Sequence, residues 1–161
     1  MKIGVISDTH IPDKTEHIPQ EILNAFKQVD MVVHAGDMVD LEAVEELKLA
    51  CKNVIAVAGN MDRDSVRKKY PAKLILDAEG VKVGIIHGWG ARSTIIEVIK
   101  DAFKDDKLDV IIFGHSHKSM NERIGNILFF NPGSATDVTA DYNSYGIIEI
   151  NKKIDAQIIK I

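Results

Sequence analysis

Hydrophobic residues follow two alternating rhythms along this chain. Short runs rich in β-branched residues have strand length: Ile3-Gly4-Val5-Ile6, Met31-Val32-Val33, Val54-Ile55-Ala56-Val57, Val81 to Ile86, and Val110-Ile111-Ile112-Phe113. Between the first three, apolar residues recur three and four apart. Ile22, Leu23, Ala25, Phe26 and Val29 make one such face behind Pro19, a residue suited to a first helical turn. Leu41, Val44 and Leu47 make another, with Asp40 as its expected cap. A βαβαβ opening of this kind predicts three parallel strands with right-handed crossovers.

The second half changes rhythm. Arg63 to Lys69 reads as a short basic helix closed by Tyr70-Pro71, and hairpins are expected about Glu79-Gly80, Gly125-Asn126 and Asn151-Lys152-Lys153. One amphipathic helix interrupts them. Thr94-x-x-Glu97 matches a capping box, and Ile95, Val98, Ile99, Ala102 and Phe103 supply the apolar face behind it. The strands hold more apolar surface than one layer can bury, so two packed sheets with helices outside are expected, an α/β chain in a single domain over residues 1–161.

The residues at the end of each run carry the chemistry. The first run ends at Asp8, with His10 two residues on, and positions i and i+2 of an extended segment project to one side. The second runs through Gly36 to Asp37, the third through Gly59 to Asn60, and the fourth straight into His87-Gly88. The fifth passes Gly114 to His115, with His117 two further on. A lone carboxylate after a strand is ordinarily a turn former. Here seven metal-capable side chains arrive at what would be one sheet edge, where open α/β folds assemble their sites.

Taken together, Asp8-x-His10, Gly36-Asp37, Gly59-Asn60, His87-Gly88 and Gly114-His115-x-His117 resemble the calcineurin-like metallophosphoesterase family, in particular its small YfcE-type phosphodiesterases, over essentially the whole chain. The resemblance implies a four-layer αββα sandwich of mixed sheets. It implies two divalent transition-metal ions (Mn, Ni, Co, Fe or Zn). Asp8, His10, Asp37 and His117 would surround the first, and Asp37, Asn60, His87 and His115 the second. Asp37, whose carboxylate has two oxygens, would bridge them, and Asp37, Asn60 and His87 would be the catalytic ligands. The implied reaction is hydrolysis of a phosphodiester by a metal-bound hydroxide, with a phosphomonoesterase or a non-catalytic scaffold of the retromer-subunit type as alternatives.

Composition narrows this further. Hydrophobic content of 45% and charged content of 27% fit a globular protein able to bury a core without disulfides. A net charge of −4 disfavours gripping long nucleic acid, and no stretch is apolar for a membrane-spanning length. The single Cys51 and an opening Met1 that leads directly into the first strand suit the cytoplasm. A small or activated phosphodiester is the expected partner, and a homo-oligomer is compatible.

Around the seven stand weaker candidates. Arg92 is the preferred phosphate contact, ahead of the basic cluster Arg63, Arg67, Lys68 and Lys69, which also reads as a solvated face. Asp62 would orient a ligand or substrate, or cap a turn. Ser134, in the turn Asn131-Pro132-Gly133-Ser134, would edge the pocket, and Trp89 and Tyr142 would line a groove. His34 reads as a hydrogen-bonded core histidine and His17 as solvated. Many members of the family carry a histidine directly after the ligand asparagine, where this chain has Met61. A missing general acid favours esters with good leaving groups.

Overall fold

The computed structural model describes residues 1–139 and 142–161. Ten strands form two five-stranded sheets. The first sheet runs in the order β10 (Ile154–Lys160), β9 (Ser144–Ile150), β1 (Lys2–Ile6), β2 (Met31–His34), β3 (Val54–Ala56). Strands β1, β2 and β3 are parallel, joined through α1 (Gln20–Phe26) and α2 (Glu42–Ala50), as the opening rhythm requires. The second sheet runs β4 (Lys73–Ala78), β5 (Val81–Ile86), β6 (Val110–Ile112), β8 (Ile127–Asn131), β7 (Met120–Ile124), with β5, β6 and β8 parallel. A short helix, α3 (Asp64–Lys69), links the sheets, and α4 (Ile95–Ala102) crosses over from β5 to β6.

Side-chain alternation distributes the strands' apolar residues between three layers. Ile3, Val5 and Val33 of the first sheet meet Val83, Ile85, Val110, Ile112 and Phe130 of the second in the middle. On the outer face of the first sheet, Ile6 and Val32 pack under Ile22 and Phe26 of α1 and Val44 and Leu47 of α2. On the other side, Ile111, Phe113 and Phe129 pack under Ile95 and Ile99 of α4 together with Phe103. The four-layer sandwich is thus present, and a strand residue contributes to one core or the next according to parity.

Two local expectations need correction. Asp40 does not cap α2 at its boundary: its Oδ1 accepts the Leu41 N–H at 2.8 Å and the Ser65 hydroxyl at 3.0 Å, one turn residue ahead of the helix. Thr94 does not cap α4 either. A 3-10 turn over Arg92–Thr94 precedes that helix, and the Thr94 hydroxyl donates to Ala91 O at 3.2 Å, which removes it from the capping box. The tail hairpin, expected only as a local pair, inserts beside β1, with Ile148 opposite Ile3.

Close approach of α1 to β1 depends on Gly4, where an added Cβ would stand 2.6 Å from Cε1 of the fully buried Phe26. Gly4→Ala is therefore expected to destabilise the fold by about 1–3 kcal/mol. Chemical denaturation measures this, and pairing the change with Phe26→Leu should recover part of the loss.

Candidate metal centre

All seven side chains singled out after the strand runs lie beyond the carboxyl ends of β1, β2, β3, β5 and β6, at one end of the sandwich. The backbone there is unusual. Asp8, His10, Asp37, His115 and His117 have φ between +47° and +66°, and they are five of only seven non-glycine residues with positive φ among the described residues. This left-handed region costs an L-residue roughly 1–2 kcal/mol. It turns each strand end sharply and aims the side chain back across the sheet edge. Such strain concentrates at functional sites, where surrounding structure holds it in place.

Three imidazoles are each pinned through one nitrogen. His87 Nδ1–H donates to the Ala35 carbonyl at 2.8 Å, so its Nε2 carries the lone pair. His117 Nδ1–H donates to Asp137 Oδ2 at 2.6 Å, again leaving Nε2. His115 Nε2–H donates to the Gly90 carbonyl at 2.8 Å, which leaves Nδ1. Each remaining nitrogen points at an acceptor. His87 Nε2 is 3.2 Å from Asp37 Oδ2, His117 Nε2 is 3.3 Å from Asp8 Oδ1, and His115 Nδ1 is 2.9 Å from Asn60 Oδ1. His10 Nε2 joins them 3.3 Å from His117 Nε2.

Lone pair against carboxylate is repulsive unless a cation stands between. Two of these atoms, Asp8 Oδ1 and His87 Nε2, are buried and make no hydrogen bond of acceptable geometry. A donor set of imidazole nitrogens and carboxylate oxygens, with buried atoms left unpaired, fits divalent transition metals. Asp8, His10 and His117 converge within the spread of one ion's ligands, as do Asp8, Asp37 and His87. These two groupings share Asp8, while Asp37 gives its other oxygen, Oδ1, to the Met61 N–H at 2.7 Å.

Without a metal, protons fill part of this role. Asp8 most strongly, then Asp137, raises His117 against its burial to a pKa of about 9. At His87, burial opposes the charge, but Asp37 and Asp8 outweigh it and raise the pKa. Burial pushes the Asp37 carboxyl up, yet His87 and the Met61 N–H bring it below the ordinary range. His10 is lowered, mainly by burial.

The other candidates divide. Asp62 is buried and accepts N–H groups of Val39 and Gly59 at 2.6 Å and of Asp37 at 3.2 Å. It ties the Asp37 loop to the Asn60 loop and presents no oxygen to a substrate; burial raises its pKa. Ser134 is likewise buried and donates to the Asp8 carbonyl at 2.9 Å, holding that strand end. His34 is fully buried, accepts Gly36 N–H at Nδ1 and bonds Thr9 through Nε2, and burial holds its pKa at about 4. It is the hydrogen-bonded core histidine the sequence suggested.

Arg63 pairs with Asp13 and Asp40, and Arg67 donates to the Asn60 and Asp62 carbonyls at 2.8 Å, so neither guanidinium is directed at an incoming anion. Arg92 stays exposed and shares with His117 and Tyr142 a cleft of about 300 Å³. Trp89 lines a second cleft of about 400 Å³ with Asn60 and His87. His17 is exposed and pairs with Glu46. Asp137 has no signal in the sequence. It lies three residues beyond Ser134, far from any strand run, and only the turn that carries it back to His117 reveals its role.

These shifts predict a pH signature in the metal-free protein. A His117 pKa of about 9, against about 6.5 in an unfolded chain, adds stability that is complete below 6.5 and lost as pH rises through 9. Denaturant unfolding between pH 6 and 9.5 should show this decline. His117→Asn, which suits the left-handed backbone, should flatten it. Because a metal must displace that proton, uptake at pH 7.5 should release protons, measurable by calorimetry in buffers of different ionisation enthalpy.

The model of the calcineurin-like phosphoesterase superfamily domain matches residues 1–153. A probable metallophosphoesterase of Methanocaldococcus jannaschii is 35% identical over 167 residues, covering 100% of this chain and 82% of its own length. A phosphodiesterase of the same organism is 30% identical over 175 residues, covering 99% of each. Among solved structures, Entamoeba histolytica Vps29 complexed with zinc superimposes with a TM-score of 0.79 at 24% identity, covering 99% of both chains, a likeness of fold. With a full-length match in both sequence and architecture, this chain belongs to the calcineurin-like phosphoesterase superfamily.

Proposed function

We propose that this chain is a metal-dependent phosphodiesterase in which Asp8, His10, Asp37, Asn60, His87, His115 and His117 hold two divalent transition-metal ions. The observation that carries this reading is the set of three imidazoles, each locked by a carbonyl or carboxylate so that its other nitrogen faces an acceptor across the cleft. When bound, the ion pair supplies Lewis-acid polarisation of the phosphoryl oxygens and acidifies the attacking water. Mixed imidazole and carboxylate ligation suits Mn, Fe, Co, Ni or Zn better than Ca or Mg. By the family resemblance Asp37 would be shared between the ions, although the two groupings of side chains that converge here have Asp8 in common.

The protein's own contribution is orientation. The Ala35 and Gly90 carbonyls and Asp137 fix three ring planes, and Asp62 fixes the loops bearing Asp37 and Asn60. Arg92 makes no ion pair among the described residues and stands beside His117, positioned to take a non-reacting phosphoryl oxygen. Met61, 55% exposed beside Asn60, offers no proton to a departing alkoxide. Esters whose alcohols leave readily are the preferred substrates on that account. A phosphodiesterase relative at 30% identity supports this reading over a monoesterase. A scaffold in the manner of Vps29 shares the fold, but the complete donor set favours catalysis.

Protein reconstituted with Mn, Co, Ni or Zn should hydrolyse an aryl phosphodiester faster than the matching monoester. Asp37→Asn should lower kcat/KM by at least about 10²-fold while the melting temperature stays close to that of the parent. Full activity in Asp37→Asn would remove the bridging assignment, and metal uptake without turnover on any ester would favour the scaffold. Met61→His should raise turnover of alkyl diesters, toward the roughly 10²–10⁴-fold that general acids contribute. Unchanged alkyl turnover with metal still bound would show that Met61 is not the reason for the preference.

A further inference from the structure

The two clefts beside the candidate ligands differ in chemistry. One is walled by Trp89 and floored by Ala58, Ala72, Ile86 and Ala102. The two cations at its edge are already engaged. Arg67 is committed to the Asn60 and Asp62 carbonyls, and Lys73 Nζ to the Ala102 carbonyl and Asp106. The cleft on the His117 side contains Arg92 and Lys118, which pair with no carboxylate among the described residues. One side of the centre therefore offers a largely apolar surface whose cations are turned to the protein's own acceptors, and the other offers cations without such partners.

Trp89 is the chain's only tryptophan, and it is 53% exposed. Gly88 and Gly90 on either side have φ of +90° and +85°, so the loop turns twice in a region few side chains tolerate. That turn holds the indole out over the cleft while the Gly90 carbonyl grips His115. Among the five exposed large apolar residues found in the described part of the chain, Trp89 is the one that lines this cleft, beside Asn60 and His87.

We infer that the Trp89 cleft is the subsite for one esterified group of the phosphodiester, and that this group is a flat, uncharged ring stacked on the indole. The inference rests on the phosphodiesterase reading and narrows it to diesters with an aromatic ring on one arm, a nucleoside or a simple aryl group. The ring sits on the side of Asn60 and His87, and the other arm extends toward Arg92 and Lys118. A cleft of about 400 Å³ accommodates a single ring system rather than a polymer.

The test uses metal-loaded protein with phenylphosphonate and methylphosphonate, which resist hydrolysis. Calorimetry gives both affinities, and fluorescence of the sole tryptophan reports contact directly. Phenylphosphonate should bind roughly tenfold more tightly than methylphosphonate, the contribution of one ring stacked on an aromatic side chain, and should alone quench Trp89. Trp89→Ala should bring the ratio of affinities toward one, and Trp89→Phe should restore most of it. An aryl preference that survives in Trp89→Ala, or quenching absent while phenylphosphonate binds, overturns the subsite and leaves the phosphodiesterase reading standing. If neither phosphonate binds metal-loaded protein that turns over the aryl phosphodiester, the subsite falls and the phosphodiesterase reading stands; if that protein also turns over no ester, both fall.

Discussion

Electrostatic conflict among converging acceptors is the constraint around which this molecule is built. A lone pair of His87 faces Asp37 at 3.2 Å and one of His117 faces Asp8 at 3.3 Å, while His115 Nδ1 lies 2.9 Å from the side-chain amide of Asn60. Such an arrangement persists only if a cation is available to sit within it, or if protons substitute. The raised pKa values of His87 and His117 are the protein's response to that demand. Folding energy from the three apolar layers holds the conflict in place, since the ligand-bearing loops have little freedom to move apart.

The same constraint explains the backbone. Five candidate ligands occupy left-handed conformations that glycine or asparagine would adopt more easily. A strand that simply continued would send its side chains up and down the sheet faces, into the apolar layers. Turning the chain at the strand end directs them along the edge instead. Neighbouring small residues make room: a Cβ on Gly36 would lie 2.7 Å from Cβ of His87, and Gly36 itself has φ of +91°. Hydrogen bonds then lock the result. Asp62 gathers three backbone N–H groups from two loops, and Ser134 reaches across from the far end of the chain to the Asp8 carbonyl.

Two features of this chain bear on the choice of substrate under the proposed reading. The position after Asn60 holds a thioether rather than a group able to give up a proton, which shifts the demand onto the leaving group. The loop after His87 holds an indole between two glycines in left-handed conformations, which gives the site an aromatic wall. On the proposed reading, the first favours esters whose departing oxygen is already stabilised, and the second favours a ring on one arm of the diester.

Local pattern alone is enough for the strands, their parallel opening and the seven residues at their ends, because strand periodicity and β-branched runs are short-range properties. Where local rules fail, tertiary contacts override them. Asp40 turns to Arg63 and Ser65 rather than to the helix boundary, and a 3-10 turn takes Thr94 out of its box. Asp62 and Ser134 are legible as polar residues near the site, but not as inward-facing ties, since their partners lie in backbone brought near only by folding. Asp137 is invisible for the same reason: its partner is 20 residues away, and no periodicity announces the contact. Sequence by itself determined which side chains end each strand, because that is a matter of order along the chain. Which nitrogen of each histidine points inward, and which carbonyl or carboxylate holds it there, was decided only when distant segments met in three dimensions.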